Sequence, residues 1–367
     1  MPDKPPRIVF LDQYGSLGGG QQILLELAAS AQNLGYAADV LIPPGRAAEK
    51  LADANAAVIL IEECGLRQGS KTISDCFKWF FFSITQFVTH MAVLKKADLI
   101  YVNGARLLLV GVLASLFLRK KAAYHIHLHH SATEYRVFRT LLRFSLTRGL
   151  IVPSAFIRRQ LPESDPRIVT VENGLDARFS GMTCRDRFKD APLRHAAIVG
   201  RISPEKGQDV LATLAPAFRD MTFHVFGNAA FADDAYYESL RQSLPSNVVF
   251  HGWIDDVAGK IDALRIQLWL VPSRCAESSS LACMQAAATS CLAAVREEGA
   301  PADIAGELGL STFQTDEDLL RLIERLRGCE PEQLAGNTRA AFQKAMARYS
   351  RDELQKRLTE LLKRLLA

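Results

Sequence analysis

The sequence has little of what would mark a metal centre, a disulfide scaffold or a membrane span. Its seven cysteines (64, 76, 184, 275, 283, 291 and 329) are scattered, odd in number and never spaced Cys-x-x-Cys. That pattern excludes a zinc cluster and a disulfide framework, and reduced thiols in a cytoplasmic protein are expected. Long apolar runs are missing too. The segment 77–94 is rich in aromatics but broken by Lys78, Gln86 and His90, and the uncharged run 107–118 has 12 residues. A span needs about 20, so both are expected to be buried or interfacial helices. The opening Met1-Pro-Asp-Lys-Pro-Pro-Arg7 runs straight into a short apolar strand pattern. It lacks the stretch and cleavage site of an export signal, and a cytoplasmic location is expected. Nor does one charge dominate: 44 basic against 40 acidic residues leave +4. That is too even for a dedicated nucleic-acid binder.

What remains is ordinary globular material in quantity. The 367 residues, 49% apolar and 23% charged, exclude a disordered chain or a fibre and favour two domains. Short β-like runs alternate with helical patterns almost throughout. The first half reads as seven strands (7–11, 38–42, 58–61, 99–103, 122–129, 149–152 and 168–172) separated by helices. The rhythm restarts with strands at 196–200, 222–226, 248–251 and 267–271, and ends in helical patterns at 317–326, 331–347 and 351–366. Continuously apolar strands between helices imply parallel sheets covered on both faces. The expected boundary lies in 173–194, and ligands are expected at the carboxyl ends of the strands. Charge is uneven: residues 1–175 carry 20 basic and 14 acidic side chains, a net +6, and the remainder is −2. A basic, aromatic-rich first half could face an anionic membrane or an anionic lipid-linked substrate; solvated charge and core aromatics are the alternative.

Four stretches could carry chemistry. Gly15-Ser-Leu-Gly-Gly-Gly20 follows the first strand and precedes a helix. Its glycines let backbone approach a ligand closely, although the spacing is not that of a dinucleotide fingerprint. His125, His127, His129 and His130 end the fifth strand. No acidic cluster joins them, so a metal site is not expected, and His127 and His129 fall where a cleft residue would lie. Gly200-Arg-Ile-Ser-Pro-Glu-Lys-Gly207 places Arg201 and Lys206 around a turn at a helix start. Two cations there suit a diphosphate, with surface cations around a turn as the alternative. Glu277, Ser278-Ser-Ser280 and Gln285 follow another strand. A carboxylate beside exposed amides suits sugar hydroxyls, and a simple helix cap is the alternative. Asp316-Glu-Asp318 is expected to be the first turn of an amphipathic helix, not a metal site.

Taken in order, these residues resemble the retaining glycosyltransferases of family four (glycosyl transferases group 1, GT-B fold). The resemblance runs through the glycine loop, Ile151-Val-Pro-Ser154 with Val171-Glu-Asn-Gly-Leu-Asp176, Val199-Gly-Arg-Ile-Ser-Pro-Glu-Lys-Gly207, Val249-Phe-His-Gly252 and Pro272-Ser273 with Glu277. It implies an α/β protein of two Rossmann-like domains, 1–175 and 176–349, facing a central cleft, with a C-terminal helix (350–367) returning to the first. It implies a nucleoside-diphosphate sugar as donor, a saccharide or lipid-linked acceptor, and no metal cofactor. The site would comprise His127 (with His129 as fallback), Arg201, Lys206 and Glu277 at the reaction centre. Gly18, Gly19, Gly20, Gly200, Ser279, Ser280, Leu281 and Gln285 would lie on the donor. Three departures stand out. Gln285 replaces the second acid of the family's Glu-x7-Glu pair, serines replace its glycine-rich loop after Glu277, and Ala288-Thr-Ser-Cys-Leu-Ala293 replaces a Gly-Pro turn. A non-catalytic partner of the same fold and a sugar-nucleotide epimerase are therefore alternatives to a transferase making bacterial surface glycan at the cytoplasmic face of the inner membrane.

Overall fold

The computed structural model describes residues 4–66, 72–127, 130, 132–162, 165–189, 192–229 and 234–367. The chain divides into two compact units, Met1–Glu172 with Gln355–Ala367, and Asn173–Leu354.

The first unit holds seven strands: β1 (Arg7–Asp12), β2 (Ala37–Ile42), β3 (Ala57–Leu60), β4 (Leu99–Asn103), β5 (Lys121–His125), β6 (Leu146–Val152) and β7 (Ile168–Thr170). They pair in parallel in the order β3-β2-β1-β4-β5-β6-β7. Five or more consecutive buried positions in β1, β2 and β4 explain the apolar runs, since a sheet covered on both faces gives no polar alternation. Order reverses between β1 and β4. There the chain leaves β1 for one side of the sheet and β4 for the other, and the strand ends splay into a crevice. Asp12 and Asn103 are register partners at that point.

The second unit repeats the plan with β8 (His195–Val199), β9 (Thr222–Phe226), β10 (Val248–Gly252), β11 (Leu268–Val271), β12 (Leu292–Arg296) and β13 (Ser311–Phe313). All neighbours are parallel in the order β10-β9-β8-β11-β12-β13, with the reversal between β8 and β11.

β12 and β13 were not among the expected strands. β12 is preceded by Ser290 in left-handed backbone (φ 55°). Its alanines and leucine carry no β-branched signal until Val295, so neighbours rather than local preference make it a strand. β5 also ends at His125, short of the expected 129. The expected helix 134–147 stops at Leu142, because Leu146 begins β6.

The final helix, Arg351–Leu366, contributes its last turns to the first unit. Gln355 accepts from the Ser30 hydroxyl at 2.6 Å, the Lys121 amine reaches the Leu366 carbonyl at 2.9 Å, and Leu358, Leu361, Leu362 and Leu365 are buried. Burial stabilises by roughly 1.5–3 kcal/mol per fully buried leucine, so this seam holds the end of the helix on the first unit.

Candidate active site

In the first unit, the glycine loop leads into the helix Gly19–Asn33, with Gly18 at its N-cap. Gly18 has no side chain to cap with, and Gln21 substitutes. Its amide oxygen accepts from the Gly18 N–H at 3.2 Å while its nitrogen donates to Asp12 Oδ1 at 2.9 Å. Asp12 is fully buried at the end of β1. Its other oxygen accepts from Asn103 Nδ2 at 2.5 Å, and the same nitrogen donates to the Gly20 carbonyl at 3.1 Å. Asn103 Oδ1 then lies 2.6 Å from His127 Nε2. Because the Asn103 nitrogen is committed to two acceptors, its oxygen must accept. His127 therefore carries its proton on Nε2 and presents Nδ1 as an acceptor.

Burial sets the protonation of this chain of groups. It raises the Asp12 carboxyl from 3.8 to about 6, against the lowering effect of its hydrogen bonds. It lowers the His127 imidazole from 6.5 to about 4. His125 stacks on His127 with ring centroids 3.8 Å apart, and its own pKa is held well below 6.5 by burial and by its neighbour. His127 is thus neutral at physiological pH: a hydrogen-bond partner for a hydroxyl, not a cation. A Cβ at Gly20 would sit 3.2 Å from the His127 ring, tighter than most real contacts, so the loop glycine is what lets the helix start meet the imidazole. His129 lies outside the described residues.

In the second unit, a tight turn follows β8. Gly200 leaves the strand, Pro204–Lys206 forms a single 3-10 turn, and Gly207 closes it in left-handed backbone (φ 70°). A Cβ at Gly207 would lie 2.3 Å from the Pro272 carbonyl, so both the dihedral and the space demand glycine. The buried Gln208 pins the turn. It donates to the Arg201 carbonyl at 2.8 Å and accepts from the Ser203 N–H at 3.4 Å.

The result brings two distant stretches together: Lys206 Nζ donates to Glu277 Oε1 at 2.8 Å, both partly exposed. Arg201 pairs with Glu205. Each cation therefore has a carboxylate partner that an incoming anion could replace. Both pairs stand just beyond the carboxyl ends of β8 and β11, the strands flanking the reversal, where an open α/β sheet binds its ligand. Lys206, Gln208, Pro272, Ser273 and Glu277 share the lining of one small cavity.

Beyond Glu277, Ser280 caps the helix Leu281–Ala288 by accepting from the Cys283 N–H, which makes it structural. The Ser279 hydroxyl is buried with no hydrogen-bond partner among the described residues, and Gln285 is half-buried on that helix. Asp318 likewise serves a cap: it accepts from the Thr315 N–H at 3.0 Å while the Thr315 hydroxyl accepts from Asp318 at 3.1 Å.

Family comparison fits this geometry. A family described as Glycosyl transferase 4-like domain matches residues 18–174, and one described as Glycosyl transferases group 1 matches residues 194–327. The chain belongs to the group 1 glycosyltransferases. Solved structures share its GT-B architecture across nearly the whole length. HepE from Anabaena, in complex with UDP and glucose, superposes with a TM-score of 0.78 at 22% identity, covering 97% of this chain and 99% of its own. A glycosyltransferase from Rickettsia africae gives 0.77 at 15% identity, covering 99% of each chain. Sucrose-phosphate synthase from Thermosynechococcus elongatus gives 0.75 at 14%, covering 98% and 99%. No curated protein matches the chain by sequence.

For this glycosyltransferase, the sequence pointed to His127, the glycine loop, Arg201, Lys206 and Glu277. It did not point to Asp12, Gln21, Asn103 or Gln208. A buried acid ending β1 beside an asparagine ending β4 was the available signal, but only the strand order makes those two residues neighbours.

Proposed function

We propose that this protein transfers a hexose from a nucleoside-diphosphate sugar to a hydroxyl of a saccharide or lipid-linked acceptor, with retention at the anomeric carbon and without a metal. The bond from the anomeric carbon to the diphosphate oxygen breaks and the bond to the acceptor oxygen forms. The acceptor proton leaves with the departing phosphate. Lys206 and Arg201 neutralise charge gathering on the diphosphate, the preorganised electrostatic contribution that usually dominates such steps. Glu277 accepts hydrogen bonds from donor-sugar hydroxyls, and neutral His127 hydrogen-bonds the transferring sugar. The acceptor fits bacterial surface glycan (lipopolysaccharide, capsule or exopolysaccharide) assembled at the cytoplasmic membrane face.

The observation that carries this reading is the Lys206–Glu277 pair at 2.8 Å beside the β8/β11 reversal. It puts a phosphate-seeking cation next to a hydroxyl-seeking carboxylate. A relative solved with UDP and glucose lends support. The test is thermal unfolding against UDP, GDP, ADP, CMP and their sugars without metal, followed by the anomeric configuration of the product by NMR. A ligand at a hundred times its Kd adds about 2.7 kcal/mol, a readable shift. A shift with one nucleotide, lost in Lys206→Ala, supports the donor site, and an inverted product would remove the retaining mechanism. Gln285 in place of an acid favours a second reading, a non-catalytic partner of the same fold. That reading expects nucleotide binding or none, and no turnover with any acceptor.

A further inference from the structure

The helix Ile73–Thr89 is apolar on two sides. One side is accounted for: Ser83, Gln86 and Phe87 are buried, Phe82 packs on the core, and the Trp79 indole donates to the Arg106 carbonyl at 2.7 Å. The other side carries Ile73, Phe77, Phe80, Phe81 and Val88. Their spacing of three, four and seven puts them in one stripe. Ile73 is 78% exposed, Phe77 61% and Phe81 63%. On the neighbouring helix Leu108–Leu118, Phe117 is 66% exposed and its ring centroid lies 6.1 Å from that of the buried Phe87, which ties the two helices together. A soluble surface rarely leaves so many large apolar side chains in one patch without a partner.

Charge identifies the partner. Residues 73–148 hold 11 Lys and Arg against 3 Asp and Glu, a net +8 in a chain whose total is +4. Lys78, Lys95, Lys96, Arg119, Arg143 and Arg148 of that stretch are exposed. A second copy would bring two such segments together, and like charges across an interface cost affinity. An aromatic stripe on a helix that carries Lys78, within a segment of net +8, instead matches an anionic lipid surface: the rings enter the acyl boundary and the cations meet headgroups. Among the described residues no helix is long and apolar enough to cross a membrane.

We infer that the outer face of the helix Ile73–Thr89, with Phe117, docks this protein onto an anionic bilayer, lying in the interface. This deepens the membrane-face reading above and rests on it, while standing apart from the donor chemistry.

Co-sedimentation with vesicles tests it. One set is pure phosphatidylcholine; the other is equimolar phosphatidylcholine and phosphatidylglycerol. The wild-type protein is expected to pellet with the anionic vesicles only and to be released by high salt. Phe77→Ser with Phe81→Ser is expected to weaken that binding at least about tenfold. Lys95→Glu with Lys96→Glu should weaken it as well. Each variant is accepted only if its melting temperature and nucleotide-induced shift match the wild type, since these side chains are exposed. Absent wild-type binding, equal binding to both vesicle types, or undiminished binding by the serine variant would overturn the inference. So would a concentration-dependent dimer that the serine variant dissolves. Loss of the nucleotide shift in the wild type would sink the donor reading and leave the vesicle result standing.

Discussion

The two units build their polar sites in opposite ways from the same strand plan. Each uses the reversal point of a parallel sheet. In the first unit Gln21, Asp12 and Asn103 are buried and joined in sequence to the half-buried His127. In the second they are ionised and partly exposed, Lys206 with Glu277 and Arg201 with Glu205. Buried polar groups are costly unless every partner is present, so the first arrangement is rigid and fixed before any ligand arrives. Partly exposed ion pairs contribute little to stability and can exchange one partner for a ligand. Under the proposed function, one unit orients and the other receives charge.

Removing a cation should therefore hurt activity far more than folding. Lys206→Ala is expected to lower kcat by about 10²–10³-fold, the usual scale for losing one preorganised electrostatic contact. Its melting temperature should stay within about 2 °C, because a partly exposed ion pair of this kind contributes about 0–1 kcal/mol. Steady-state kinetics beside a thermal melt checks both. Unchanged turnover would remove the diphosphate assignment, and a collapsed melt would erase the contrast between the units.

The mirror experiment in the first unit should cost both quantities. Asn103→Ala takes a donor from buried Asp12 and an acceptor from His127. Leaving a buried group unsatisfied costs about 1–3 kcal/mol. Chemical denaturation should register that loss, and turnover should fall as His127 loses the partner that fixes its tautomer. Lys206→Ala and Asn103→Ala thus separate on a plot of stability against rate. If Asn103→Ala melts like the wild type, the buried chain of bonds does not constrain the fold as described.

This contrast also explains what could be read from the sequence. Arg201 and Lys206 sit within six residues of each other in one recognisable turn, and Glu277 opens a polar loop after a strand. Their chemistry is local, and residue type alone announces it. Asp12 and Asn103 end two strands, Gln21 lies on a helix, and His127 lies two residues past the end of a third strand. No window of sequence contains them, and an asparagine ending a strand carries no signal until strand order sets it opposite Asp12. The alternation of strand and helix was legible wherever strands were richly apolar. It failed at β12 and β13, short segments whose pairing, not their composition, makes them strands.

Acid should sharpen the comparison further. Asp12 is raised to about 6, so the folded state holds its proton more tightly. Its contribution is fully present below pH 4 and is lost as pH rises toward 6. His127, lowered to about 4, acts the other way: its contribution is full above pH 6.5 and is lost as pH falls toward 4. The two oppose one another within the first unit, although His125 adds to the histidine side. In the second unit His195, His224 and His251 all have lowered pKa values, chiefly from burial, and so act in the same direction as His127. Stability should fall between pH 7 and 5, read as a drop of a few degrees in melting temperature. Asp12→Asn should steepen that fall and His224→Gln should flatten it. Reversed signs would contradict the burial assigned to these groups.

The smallest expected effect concerns Gln285, where this chain departs from the acid that its family resemblance leads one to expect. An amide can donate to and accept from a diol, but a carboxylate accepts with charge assistance, about twice the strength of a neutral bond. Gln285→Glu should tighten nucleotide-sugar binding by up to about tenfold, the equivalent of 1.4 kcal/mol. Isothermal titration reads it directly. Against that gain works the carboxylate that Glu277 already supplies on the same segment, since a second one adds repulsion. Lys206 decides between these outcomes. Its amine is 2.8 Å from Glu277 and already balances that charge, so a second carboxylate gains only if Arg201 or the ligand's own hydroxyls receive it. A gain in affinity with unchanged kcat would mean that residue 285 meets the donor only as a ground-state contact. A loss would mean that the serine loop and Gln285 form a donor pocket of lower charge, adapted to a different sugar or base.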